Sequence, residues 1–178
     1  MSFLRMLGHL LRGRTRLWLC YTSVTASTCE ACLAWHGRIV ARPEEFPSGD
    51  ACPHEVLAFP VWKLGAYREQ AARMVARAQA ELRRRELLRQ AQALLAAEPE
   101  RALALLDEAG AVDVFLPEVE ALARDPALAD PALRARVREV LLRRWKAKFA
   151  LDRYERQPEL ARTQQEQWGV RRIEEVLA

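Results

Sequence analysis

The apolar positions in the second half of the chain recur at helical spacing. From about Leu64 to Pro99 the sequence contains no internal proline and a single glycine. The apolar positions of this run include Met74, Ala78, Leu82, Leu88 and Leu95. This spacing predicts one long amphipathic helix.

Proline, aspartate and glycine separate further predicted helices after this one. The segments cover residues 99–110, 117–125, 130–155, 158–168 and 170–178. In the segment at 130–155, Asp130 is the predicted N-cap and Pro131 the first helical residue. Its apolar stripe consists of Leu133, Val137, Leu141, Trp145 and Phe149. Residues 63–178 are therefore predicted to form a domain of five or six helices.

The first part of the chain has a different pattern, mixed between strand and helix. Residues 16–24 and 38–46 are rich in aromatic and β-branched residues and predict two strands. Between them lies a predicted helix of about two turns, with Ser27 or Thr28 as N-cap and Gly37 just after its end. A proline-rich loop follows at 47–55. Residues 1–62 are thus predicted to be a small α+β unit, and the whole chain to be mainly α.

The first sixteen residues are predicted to form an amphipathic helix. Arginines lie opposite an apolar set formed by Phe3, Leu4, Leu7, Leu10 and Leu11. A helix this short favours packing in the core or docking on a partner over binding to a membrane surface. The apolar stretch is also too short to span a bilayer. We therefore expect no membrane span and a cytoplasmic location.

Composition indicates a folded protein with a core. Of the 178 residues, 51% are hydrophobic and 29% are charged, which is typical of a globular chain. The sequence contains no asparagine and is rich in alanine, arginine, glutamate and leucine. This composition is typical of a heat-adapted protein or of a GC-rich genome.

The net charge of +4 is unevenly distributed. Residues 68–90 and 131–153 are mostly basic, whereas residues 98–130 are mostly acidic. Such blocks either pair inside one fold or meet complementary partners. If they meet nucleic acid, the expected contacts are Arg83, Arg84, Arg85, Arg143, Arg144, Lys146 and Lys148.

A possible metal site is carried by four residues with two close spacings. Cys29 and Cys32 form a C-x-x-C pair at a predicted helix start, and Cys52 and His54 lie in the proline-rich loop. Two close pairs joined by an intervening segment fit a tetrahedral structural zinc site, with ligands about 2.1–2.3 Å from the ion. The predicted zinc would join the short helix to the loop, in a unit with little core of its own.

Other uses of these residues stay open. Cys29 and Cys32 could be a redox pair, Cys29 and Cys52 could form a disulfide, and the cysteines could serve as small buried hydrophobes. Cys20 is expected in the core, with the alternative that it replaces His54 as a ligand. His36 is expected to be a cation or a hydrogen-bond donor at the helix end.

The same region resembles a known family. The run "LWLCYTSVTASTCEACLAWHGRIV", followed by "DACPHE", resembles the cysteine segment of phage minor head proteins of the Mu F (head morphogenesis) type. The matching positions are Trp18, Thr28, Cys29, Cys32, Gly37 and Ile39, with Cys52 and His54 standing for the following loop. The family loop has a histidine before two cysteines, whereas here the cysteine comes first. The resemblance covers residues from about 16 to 60 and implies a strand, short helix and strand in a head-assembly protein.

No motif of a catalytic site is present. The sequence has no glycine-rich phosphate loop, no H-E-x-x-H and no nucleophile elbow. The expected function is therefore a non-enzymatic structural or adaptor protein with a structural zinc site, in the cytoplasm or, if phage-derived, in a virion. Its expected partner is another protein or a second copy, without a small-molecule substrate. The alternatives are a zinc-dependent nucleic-acid-binding protein and a C-x-x-C thiol redox protein.

Overall fold

The computed structural model describes residues 15–46, 54–151 and 159–178. Within these ranges the protein is mainly α-helical, with a small antiparallel sheet near its start. The strands are β1 (Arg16–Thr22), β2 (Ile39–Val40) and β3 (His54–Pro60). The helices are α1 (Glu30–Trp35), α2 (Leu64–Leu94), α3 (Pro99–Glu108), α4 (Pro117–Ala123), α5 (Pro131–Leu151) and α6 (Glu159–Leu177). The predicted helix over the first sixteen residues lies, but for its end, outside the described residues.

The sheet has the order β2-β1-β3, and all its pairings are antiparallel. β1 pairs with β3 along its whole length, from Arg16 opposite Pro60 to Thr22 opposite His54. The predicted second strand at 38–46 is mostly wrong, because only Ile39 and Val40 pair with β1 and a 3-10 turn begins at Pro43. β3 was not predicted at all, although a short apolar run between two prolines is compatible with a strand.

The described residues form two compact units, which divide between Leu82 and Arg83. This division falls inside α2, further along the chain than the predicted boundary at residues 62 and 63. The physical reason is that the first part of α2 belongs to the core beneath the sheet. That core consists of Leu17, Leu19, Phe59, Val61, Leu64 and Ala71, with Tyr67 stacked on Phe59.

Gly37 allows α2 to approach the chain between α1 and β2. Its φ of 79° lies in the left-handed region, as predicted for the residue that follows a helix end. A Cβ atom at this position would lie 2.6 Å from the backbone oxygen of Ala71 and 2.8 Å from Cβ of Met74. Glycine is therefore required here both by conformation and by space.

The second unit is a set of packed helices with an apolar interior. Leu133, Val137, Leu141 and Trp145 of the predicted α5 stripe are buried, and Asp130 Oδ1 accepts the N–H of Ala132 at 2.9 Å, as expected of an N-cap. The side chain of Phe149 lies outside the described residues. The long helix α2 and the helices α3 and α4 also confirm the predictions.

The two short helices predicted at 158–168 and 170–178 are one continuous helix, α6. Gly169 lies inside it and does not end it. The indole of Trp145 packs so closely on Gly169 that a Cβ there would lie 1.8 Å from the ring atom Cε2. Trp145 Nε1 also donates a hydrogen bond to the backbone oxygen of Glu166 at 3.1 Å. The glycine therefore serves helix packing rather than helix termination.

The acidic and basic blocks pair with each other inside this unit. Glu100 and Asp107 of α3 accept hydrogen bonds from arginines of α5, Arg136 at 2.6 Å and Arg143 at 2.6 Å. These two contacts lie about two turns apart on both helices, so α3 and α5 run in the same direction. Lys148 extends the series with a 2.6 Å contact to Asp113.

Candidate functional site

The thiol pair lies at the start of α1. Cys29 is the N-cap residue, and its Sγ accepts the backbone N–H of Cys32 at 3.3 Å. Cys29 is half-buried and Cys32 is buried. An N–H group directed at sulfur favours the thiolate over the thiol, because it stabilises the negative charge. The local geometry therefore suits Cys29 as a thiolate ligand.

The predicted N-caps, Ser27 and Thr28, are wrong by one or two residues. Thr28 instead closes the turn before the helix, since its hydroxyl accepts the N–H of Thr25 at 3.0 Å and donates to the backbone oxygen of Ser23. Serine and threonine are the commoner caps, so sequence preference alone favours the wrong residue. The Thr28 hydroxyl makes hydrogen bonds within this turn, and Cys29 caps α1 instead.

The other two predicted zinc ligands are only partly described. Cys52 lies outside the described residues, and of His54 only the backbone is described. That backbone begins β3 opposite Thr22, the last residue of β1. Within the described ranges, no three His, Cys, Asp or Glu side chains are grouped so that they could hold a metal ion.

Cys20 is a core residue, as predicted. It lies in the middle of β1 with 1% of its surface exposed, and burial raises the pKa of its thiol to about 11. It is therefore protonated at neutral pH in this setting. Cys20, Cys29 and Cys32 are not joined in a disulfide.

His36 lies at the helix end, where a cation or a hydrogen-bond donor is expected, but its imidazole is not a cation. It is 4% exposed, and its Nδ1 accepts the backbone N–H of Thr22 at 3.0 Å. Burial, and secondarily the charge of Arg77, lower the pKa of His36 below its usual value. The imidazole is therefore neutral at pH 7, with its proton on Nε2.

His36 also lines a cavity of about 230 Å³ in the first unit. Tyr21 of β1 and the polar side chains of Gln70, Arg73 and Arg77 on α2 share this lining. These α2 residues were not singled out from the sequence. Their helical spacing marks one face of α2, but nothing in the sequence brings that face to His36.

The residues predicted for nucleic-acid binding are mostly engaged within the second unit. Arg83 pairs with Glu108 at 3.1 Å, Arg84 donates to the backbone oxygen of Ala109 at 3.3 Å, and Arg85 is buried. Arg143 and Arg144 both contact Asp107.

Lys146 and Lys148 complete that set. Lys148 contacts Asp113 and lies over the ring of Trp145, with 5.2 Å from Nζ to the ring centroid. Lys146 is exposed and lines an open cavity of about 440 Å³ between α5 and α6. Of the seven residues, Lys146 is therefore the one presented to solvent without a described acidic partner.

Comparison with known proteins gives no relative: no protein-family model, curated protein or solved structure matches this chain. No helix among the described residues is both long enough and apolar enough to cross a membrane.

Proposed function

We propose that this protein is a non-enzymatic structural or adaptor protein whose α+β unit is stapled by a zinc ion. The proposed ligands are Cys29, Cys32, Cys52 and His54. The observation that carries the proposal is the contact between Cys29 Sγ and the backbone N–H of Cys32 at 3.3 Å, which makes Cys29 the cap of the helical turn that contains Cys32. Two thiolates on one such turn would supply half of a tetrahedral Cys3His site.

The position of the fourth proposed ligand supports the same idea. His54 begins the strand that pairs with β1, and Cys52 lies two residues before it in the sequence. A metal bound by both pairs would tie α1 to the start of β3. Such a tie would add stability to a unit whose apolar cluster is small.

The adaptor role is supported by the charge pairing of the second unit. Its arginines contact carboxylates of the same unit, which lowers the positive field that a nucleic-acid-binding protein needs. We propose assembly with protein partners, and in particular a phage or prophage head-assembly role. The order of strand, short helix with C-x-x-C, glycine and strand is consistent with that role.

The test is a Cys29→Ser variant compared with the unchanged protein. Serine is among the best N-cap residues, so its Oγ can accept the Cys32 N–H and keep α1 capped while the thiolate is lost. We expect about one zinc per chain in the unchanged protein by elemental analysis, and clearly less in the variant. We also expect a lower melting temperature for the variant, because metal binding stabilises the folded state.

Cys20→Ala is the matched control for thiol loss. It removes a cysteine of the same unit that is buried and protonated, so zinc content should not change. The zinc proposal fails if the purified protein carries no metal and Cys29→Ser is as stable as the parent. Zinc lost equally in Cys20→Ala would show instead that the ligand set is wrong.

A further inference from the structure

The cavity beside His36 is lined by hydrogen-bond donors from two directions. From the end of α1 comes the imidazole of His36, and from α2 come the side chains of Gln70, Arg73 and Arg77. Arg73 contacts Glu69, one turn earlier, at 2.7 Å. Arg77 has no acidic partner among the described residues, and no described acidic side chain lines the cavity.

The hydrogen bonding of His36 fixes which of its nitrogens carries the proton. Because Nδ1 accepts the N–H of Thr22, a neutral ring carries its proton on Nε2. Within the described ranges, no protein atom accepts a hydrogen bond from that Nε2–H. The imidazole is 96% buried and lines the cavity, so its Nε2–H is a donor that a ligand oxygen could accept from.

We propose that this cavity binds a small oxyanion of the phosphate class. Nε2–H of His36 and the guanidinium of Arg77 would each donate to a different oxygen, with Arg73 and Gln70 on the same α2 face. A tetrahedral anion suits donors that converge from different elements, and guanidinium groups bind it in a directional way. The volume of about 230 Å³ exceeds that of several waters, at roughly 30 Å³ each, so a phosphate ester with a small substituent also fits.

The experiment titrates the full-length protein at pH 7.5 with inorganic phosphate, methyl phosphate and acetate. The readout is the nitrogen and proton NMR shifts of the His36 ring, together with calorimetry. We expect saturable one-to-one binding of phosphate, with the Nε2 resonance of His36 shifting and its Nδ1 remaining unprotonated. Tighter binding of methyl phosphate would identify an ester as the natural ligand, and binding of inorganic phosphate alone would identify the free anion.

Two variants and one control make the test specific. Arg77→Gln removes the charge at an exposed helix position, and we expect it to weaken phosphate binding about tenfold or more. His36→Asn removes the Nε2–H donor while Oδ1 still accepts the Thr22 N–H, and we expect a similar loss. Lys63→Gln removes an exposed charge of the same unit outside the cavity and should leave affinity unchanged.

The proposal is overturned if phosphate at tens of millimolar causes no saturable shift of His36, or if acetate binds as tightly as phosphate. It is also overturned if Lys63→Gln weakens binding as much as Arg77→Gln, since that result would mean non-specific charge attraction. The zinc content of the protein is measured separately, and it does not decide the result of the phosphate titration.

Discussion

Replacing Gly169 by alanine tests the packing of α6 on α5. The new Cβ would lie 1.8 Å from Cε2 and 1.9 Å from Nε1 of Trp145, far inside contact distance. The indole cannot simply turn away, because it is 4% exposed and its Nε1–H is bonded to the backbone oxygen of Glu166. The substitution must therefore move the ring, the helix or both.

The magnitude follows from two opposing effects. Alanine favours a helix over glycine by about 1 kcal/mol. Overpacking a filled core costs about 1–3 kcal/mol, and losing the partly buried indole hydrogen bond adds about 1–3 kcal/mol. We expect a net loss of about 1–5 kcal/mol in the free energy of unfolding. For a chain of this length, that lowers the melting temperature by roughly 2–4 °C per kcal/mol.

The measurement is thermal and urea unfolding followed by circular dichroism. Gly65→Ala is the matched control, because Gly65 is also helical and nothing lies within 4 Å of the added Cβ. It should be neutral or stabilising. A Trp145→Leu background should remove most of the penalty at Gly169, which a double-mutant cycle would reveal. If Gly169→Ala is as stable as the parent in the unaltered background, the close packing of ring on glycine is refuted.

Two further predictions concern a backbone approach and an ion pair. In urea unfolding, Gly37→Ala should destabilise the protein by about 2 kcal/mol more than Gly110→Ala. Both glycines have a positive φ, but only at Gly37 does a backbone oxygen, that of Ala71, lie within 3 Å of the new Cβ. Equal losses of stability in the two variants would contradict this prediction. Asp107→Asn should reduce the acid dependence of stability. The hydrogen bond from Arg144 holds the pKa of Asp107 below its usual value, so its contribution is present above about pH 4 and is lost as pH falls through the lower folded pKa. The variant should therefore melt lower than the parent at pH 7 and lose less than the parent between pH 7 and pH 3, and identical pH profiles would contradict the pairing.

The helical part of the fold was largely predictable from the sequence. The apolar stripe through Ala78, Leu88 and Leu95 and the prolines at 99, 117 and 131 define helices by local rules that tertiary contacts do not override here. The predicted division into two helices at 168–170 is wrong, because a glycine in a sequence usually indicates the end of a helix. Its partner Trp145 lies on another helix, and no local pattern reveals that contact.

The candidate sites were less predictable than the fold. C-x-x-C spacing points to Cys29 and Cys32, but the choice of Cys29 as helix cap depends on how Thr28 closes the preceding turn. The cavity depends on a contact between the end of α1 and a face of α2. His36 and Arg77 come together only in the folded chain. The sequence shows only that His36 lies at the end of a predicted helix, so it predicts a role for His36 at the helix end and no cavity.

The matched spacing of charges on α3 and α5 also limits how these helices can be aligned. Glu100 meets Arg136, and Asp107 meets Arg143, with the same interval on each helix. Exposed pairs of this kind contribute little stability individually. Sliding α5 along α3 by one turn, about 5.4 Å, would nevertheless break both contacts together. The two ion pairs therefore favour one alignment of α3 and α5, where their apolar faces alone could pack in several alignments.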